Sequence, residues 1–143
     1  MKEETTARLT EILSRTEGDK AGQKFAAEHS VEMGFSQYFC EFLAFRNMVL
    51  AEVVKKSGIN KNYVYQIVNG SKNPSRDKVI ALCIAAGMNF SETNRGLKKA
   101  GFSPLYPKVE RDVYIAICIN EKISSVTEVN LRLYDNGINP LDV

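Results

Sequence analysis

Residues 57–75 read SGINKNYVYQIVNGSKNPS: a glycine turn, a short helical pattern, an Asn-Gly stop, and a basic segment leading to Pro-Ser. Asn60 stands where a helix N-cap belongs, and Ile59 before it is spaced to staple onto Val64. Val64, Ile67 and Val68 recur at i, i+3 and i+4 and make one apolar face. Asn62, Tyr65, Gln66 and Asn69 make the opposite face, and Lys61 adds a cation in the first turn. A helix this short is marginal in water by itself, so its apolar face must pack on neighbours. The amide-rich face is then left for presentation.

The chain has 143 residues, 44% of them hydrophobic, which suffices for one domain of ordinary size with its own core. Its net charge of +2 is unevenly spread. Residues 1–35 carry 5 basic and 7 acidic groups, while in residues 46–78 Arg46, Lys55, Lys56, Lys61, Lys72, Arg76 and Lys78 face only Glu52 and Asp77. That local excess suits a polyanionic partner, although a charge cluster taken alone is more often a solvated face.

Cys40, Cys83 and Cys118 are odd in number, widely spaced and set in apolar runs. They read as small core hydrophobes in a reducing compartment, with no disulfide framework or zinc site. His29 is the single histidine and has no Cys or acidic cluster beside it, so no metal or other cofactor is expected. No secretory order of residues appears, and the longest near-apolar run, VIALCIAAGM at 79–88, is too short to span a bilayer. The expected compartment is the cytosol. No Ser-His-Asp or Cys-His pairing, Gly-rich phosphate loop or carboxylate pair stands out, so an enzyme is not expected.

Along the chain, Leu9, Ile12 and Leu13, and then Phe25 and Ala26, give two short helical patterns in an acidic region, 1–35. Ser36 is placed to cap the next helix, whose Phe39, Cys40, Leu43 and Ala44 form an apolar stripe. Leu50, Val53 and Val54 follow on a helix ending at Gly58. After the 60–69 helix, Pro74-Ser75 open a helix with Val79, Ile80, Cys83 and Ile84, stopped by Gly87. Ser91 begins another, which Gly101 ends. Residues 36–102 thus read as one compact bundle of five short helices, and 103–143 as an extension.

In that extension VYIAICI, at 113–119, has the periodicity of a buried strand, but no partner strand is evident. The flanking KVERD and the Ser125-to-Glu128 capping pattern favour two last helices, with Val113, Ile117, Val129 and Leu133 as core or interface. The expected fold is all-α, with no internal repeat.

Asn and Gln side chains can pair bidentately with the adenine edge in the major groove, and Lys can donate to guanine acceptors. Lys61, Asn62 and Gln66 offer that chemistry from one helix face. Tyr63 and Tyr65 suit contacts to sugar or phosphate, or half-buried packing. Asn69, Ser71, Lys72, Asn73 and Arg76 suit phosphate contacts that fix register without reading sequence.

Positions 38–90 resemble the lambda-repressor-like (Xre/Cro-type) helix-turn-helix domain of bacterial regulators. The resemblance rests on GINKNYVYQIVNGSKNPS and on VIALCIAAGMNF after it. It implies that the 61–69 helix enters a major groove, with Lys61, Asn62 and Gln66 at the base-reading positions and Asn69, Ser71 and Lys72 on the backbone. Leu50 stands where the family usually has a phosphate-gripping Gln. Leu43 and Val68 stand where many members have an Arg–Glu pair.

The expected function is sequence-specific binding of double-stranded DNA in transcription regulation, with no membrane role. A homodimer is the arrangement common in the family. The alternative is a protein-interaction module that keeps the scaffold and binds partners through its terminal helices.

Overall fold

The computed structural model describes residues 34–143, and among these the chain is all-helical, with no strand. The N-terminal helical patterns and His29 lie outside the described residues. Seven helices follow one another: α1 Phe35–Phe45, α2 Leu50–Ser57, α3 Lys61–Val68, α4 Arg76–Ala85, α5 Phe90–Lys99, α6 Glu110–Asn120 and α7 Val126–Asp135.

The bundle is built around α4. Every residue from Val79 to Ala85 is buried, so this helix is apolar on all sides and must be enclosed. α2, α5 and α7 pack on it, α1 lies against α5 and α3, and α6 lies against α5 and α7. Ser75 starts α4 by accepting the Lys78 N–H, which matches the Pro-Ser signal in the sequence. The ambiguous 113–119 run is helical, because Ile115, Cys118 and Ile119 reach the core at i, i+3 and i+4.

Several local expectations need correction. α1 begins one residue before Ser36, with Gly34 at the cap position, and the Ser36 hydroxyl instead donates to the Val68 carbonyl at 2.9 Å. Cys40 and Ala44 are exposed; the buried face of α1 is Phe35, Phe39, Phe42 and Leu43. α5 is capped by Asn89, in a reciprocal capping box with Glu92, and Ser91 lies inside the helix. On α6, Val113 and Ile117 point outward, while Val129 and Leu133 of α7 are in the core.

The larger correction is that the chain does contain a repeat. The hairpin α4–α5 with its exit loop and the hairpin α6–α7 with its exit loop carry matching residues. Arg76-Asp77, Ile80-Ala81 and Cys83-Ile84 correspond to Arg111-Asp112, Ile115-Ala116 and Cys118-Ile119, and Asn94 and Pro104-Leu105 correspond to Asn130 and Pro140-Leu141. The second hairpin turn is one residue longer, so the matches on the first helix of each hairpin lie 35 positions apart and those after the turn lie 36 apart. Periodicity reading passes over such a pattern because both copies share the generic apolar spacing of any helix.

The structure uses the matching residues in the same way. Asn94 Oδ1 accepts the Leu105 N–H at 2.9 Å, and Asn130 Oδ1 accepts the Leu141 N–H at 2.7 Å. Both leucines are buried. The hairpins are joined by crossed ion pairs, in which Arg76 grips Asp112 through two nitrogens at 3.1 and 2.9 Å, and Arg111 grips Asp77 at 2.8 and 2.7 Å.

The carbonyls of Ser103 and Pro104 accept from Arg76, and those of Asn139 and Pro140 accept from Arg111. The Tyr106 N–H completes Asp112, and the Asp142 N–H completes Asp77. Reciprocal contacts of this kind, together with α5 on α6 and α7 on α4, are those of two units related by an approximate two-fold axis. Residues 103–143 therefore belong to the same compact unit as the helices before them, Gly34–Val143.

The copies differ at one turn position. Gly87 after α4 has φ +73°, and its counterpart Lys122 after α6 has φ +62°. An L-residue in the left-handed region costs about 1–2 kcal/mol, and glycine's extra freedom in the unfolded chain offsets part of the relief. Lys122→Gly is expected to stabilise the protein by about 0.5–1 kcal/mol in urea denaturation.

Candidate nucleic-acid interface

α2 and α3 are joined by a three-residue turn, Gly58 to Asn60, whose geometry is fixed by side chains on both sides. The buried Ser57 hydroxyl donates to the Val54 carbonyl and accepts the Ile59 N–H, and Gly58 takes φ +72°. Asn60 then caps α3, its Oδ1 accepting the N–H groups of Asn62 and Tyr63. Ile59 and Val64 are both buried, as the staple requires.

α3 is anchored from below and from its end. Val64 and Ile67 are in the core, and Val68 and Tyr63 pack against it in part. The last carbonyl of α3, on Val68, accepts from Ser36 Oγ and from Cys40 Sγ of α1. Leu43 is buried and Val68 half-buried, so apolar contact occupies the two positions where the resembled family often has an ion pair.

The opposite face is open. Lys61, Asn62, Tyr65, Gln66 and Asn69 are all exposed, and the structure brings them together along one side of α3. Lys61 Nζ lies 5.7 Å from the Tyr65 ring centroid, and Lys72 Nζ lies 4.9 Å from that of Tyr63. These are cation–π distances, and each holds a flexible ammonium near a border of the helix.

The segment after α3 turns on itself. Asn69 Oδ1 accepts the Ser71 N–H at 2.8 Å, the Ser71 hydroxyl donates to Asn69 and to the Gln66 carbonyl, and the Lys72 N–H also donates to that carbonyl. The Ser71 N–H and hydroxyl are thus engaged in the loop. Lys72 and Asn73 are exposed.

Arg76 departs from the phosphate role read from the sequence. Its guanidinium is bonded to Asp112, Ser103 and Pro104, which leaves it locked between the hairpins. Asp112 is 3% exposed, and withdrawing the arginine would leave that carboxylate buried and unpaired. Lys78, in the first turn of α4, lies nearer to α3: its Nζ is 5.2 Å from the Tyr63 centroid, which Lys72 also approaches. The signal was present in the sequence, because Ser75 as N-cap puts residue 78 at the third helical position, on the same end of α4 that follows Lys72.

Electrostatically, the Arg111 guanidinium bonded to Asp77 holds that carboxyl below its usual range, and the same bond raises the Arg111 pKa. Burial pushes the Cys83 and Cys118 thiols up, which suits inert core residues. Among the described residues no helix is long and apolar enough to cross a membrane. Comparison with protein-family models, curated proteins and solved structures gives no match.

A carboxyl depressed in the folded state contributes stability above its unfolded pKa, about 3.9, and that contribution is lost as pH falls toward the folded value. Asp77→Asn is expected to cost about 1–2 kcal/mol at neutral pH, allowing for the partial exposure of the pair. The deficit should shrink as wild type and variant are compared at successively lower pH below 4 by denaturant unfolding.

Proposed function

We propose that this chain binds double-stranded DNA sequence-specifically by laying α3 in the major groove, and that it regulates transcription. The observation that carries the reading is the exposed row of Lys61, Asn62, Gln66 and Asn69 on a helix whose other side is locked into the core. An α-helix with its side chains is about 10–12 Å across and the major groove about 12 Å wide, so a helix presented this way fits the groove. α2 precedes it as the first helix of the motif, joined through the Gly58–Asn60 turn, and α1 secures its far end.

In this reading Asn62 and Gln66 pair with base edges, Lys61 donates to guanine or to phosphate, and Tyr65 lies at the groove wall. Asn69, Lys72 and Asn73 contact the sugar-phosphate chain, with the Asn69–Ser71 bonds shaping the loop that carries them. Amides that pair bidentately discriminate bases by about 1–3 kcal/mol each, whereas an ammonium on phosphate adds affinity for every sequence. The resemblance to lambda-repressor-like regulators supports the same placement.

A second reading, a protein-interaction module on this scaffold, is favoured by one feature. Val113 and Ile117 on α6, with Val109 at its N-cap, are exposed apolar residues four positions apart. Association through such residues depends only weakly on salt.

Selection of bound duplexes from a random pool decides between them. Wild type is expected to yield a defined motif whose symmetry reports one or two copies per site. Gln66→Ala should blur one position of it, while Lys72→Ala should keep the motif and lower the log–log salt slope by about 0.9. Absence of any motif, together with a shallow salt dependence, would select the protein-interaction reading.

A further inference from the structure

Tyr63 occupies a border of α3. With a step of about 100° per residue, it lies roughly 60° beyond Gln66, away from Asn62, Tyr65 and Asn69. Its ring is half-buried, and two lysines from different elements converge on it: Lys72 from the loop after α3 and Lys78 from α4, with Nζ atoms 4.9 and 5.2 Å from the centroid. The two ammonium groups are therefore at most about 10 Å apart, close enough to repel.

Among the described residues neither lysine has a carboxylate within ion-pair reach. Lys78 Nζ has one weak protein acceptor, the Asp142 carbonyl at 3.5 Å. The electron-rich ring face is what favours holding both cations in place. Their remaining N–H donors suit an oxyanion with several acceptor oxygens.

A helix that fills the major groove has a phosphate chain along each of its borders. We propose that Lys72 and Lys78, held over the Tyr63 ring, form a seat for one backbone phosphate of the bound duplex, with Tyr63 as the positioning residue. The seat rests on the duplex-binding reading above. It adds Lys78 as a phosphate contact and gives Tyr63 a role that needs its ring and not its hydroxyl.

The test is fluorescence anisotropy of a labelled random-sequence duplex across a salt titration, with the fold of each variant monitored by circular dichroism. Lys78→Met is expected to lower the log–log slope by about 0.9 relative to wild type, and Lys78→Arg to restore it. Tyr63→Leu, folded but lacking the ring, should bind about threefold or more weakly at low salt than Tyr63→Phe, which keeps the ring.

A wild-type slope for Lys78→Met, or equal affinities for Tyr63→Leu and Tyr63→Phe, overturns the seat while leaving duplex binding intact. If wild type itself shows no salt-dependent binding to any duplex, the functional reading falls and the seat with it.

Discussion

The arrangement of this molecule depends on four consecutive-pair residues, Arg76-Asp77 and Arg111-Asp112, cross-linked by charge. Partly buried ion pairs contribute little net stability, because desolvation offsets most of the attraction. Their effect is on uniqueness. Each guanidinium is bonded to one carboxylate and two loop carbonyls, and each carboxylate also accepts one backbone N–H, so a shift of either hairpin by a residue would strand the buried Asp112 and several partly buried polar groups at once. The crossing fixes the start of α4 against the start of α6. α2 and α7 both pack on α4, and Val64 and Ile67 of α3 lie in the same core.

The duplicated hairpins divide the sequence into what packing needs and what the surroundings alter. The Arg-Asp pair, the buried Cys-Ile step, the loop-tying Asn and the Pro-Leu of the exit loop recur in both copies with the same contacts. Positions that differ do so where the neighbours differ. Leu82 is fully buried under the helices packed on α4, while its counterpart Ile117 is 40% exposed, because α6 makes its main contacts with α5 and α7 alone. Lys78 and Val113 also correspond, and only the first lies beside α3. The likeness between copies is thus structural, and the difference tracks the proposed interface.

Much of this was legible in the sequence. Asn60, Gly58, Ser75 and Gly87 act through local backbone geometry, and each took the role its residue type dictates. The two faces of α3 were readable for the same reason, since 3.6-residue spacing is a local property. Arg76 was misread because its partner lies 36 positions away, and a basic residue beside a basic loop looks like part of the patch until Asp112 is placed. Cys40 and Ser36 were misread because an apolar-looking stripe does not say where a helix begins or which edge of it meets α3. The repeat is hard to read from sequence because most of its matches are apolar residues at ordinary helical spacing, and its polar matches, Arg76-Asp77 and Asn94 with their counterparts, are few.

α2 and α3 have eight residues each, well short of the length at which an isolated helix holds together in water. Their stability is borrowed from Val53, Val64 and Ile67 in the common core, and hence from α4 and from whatever fixes α4. The exit loop of the second hairpin reaches the same place from the other side. Leu141 is buried and tied to Asn130, Asp142 bonds to Asp77 and Lys78, and a side chain at Gly58 would touch Val143. The helices after residue 102 therefore act as a support for the turn between α2 and α3. Loosening that support would alter the presented face without changing any residue on it, because a short helix has no rigidity of its own with which to resist.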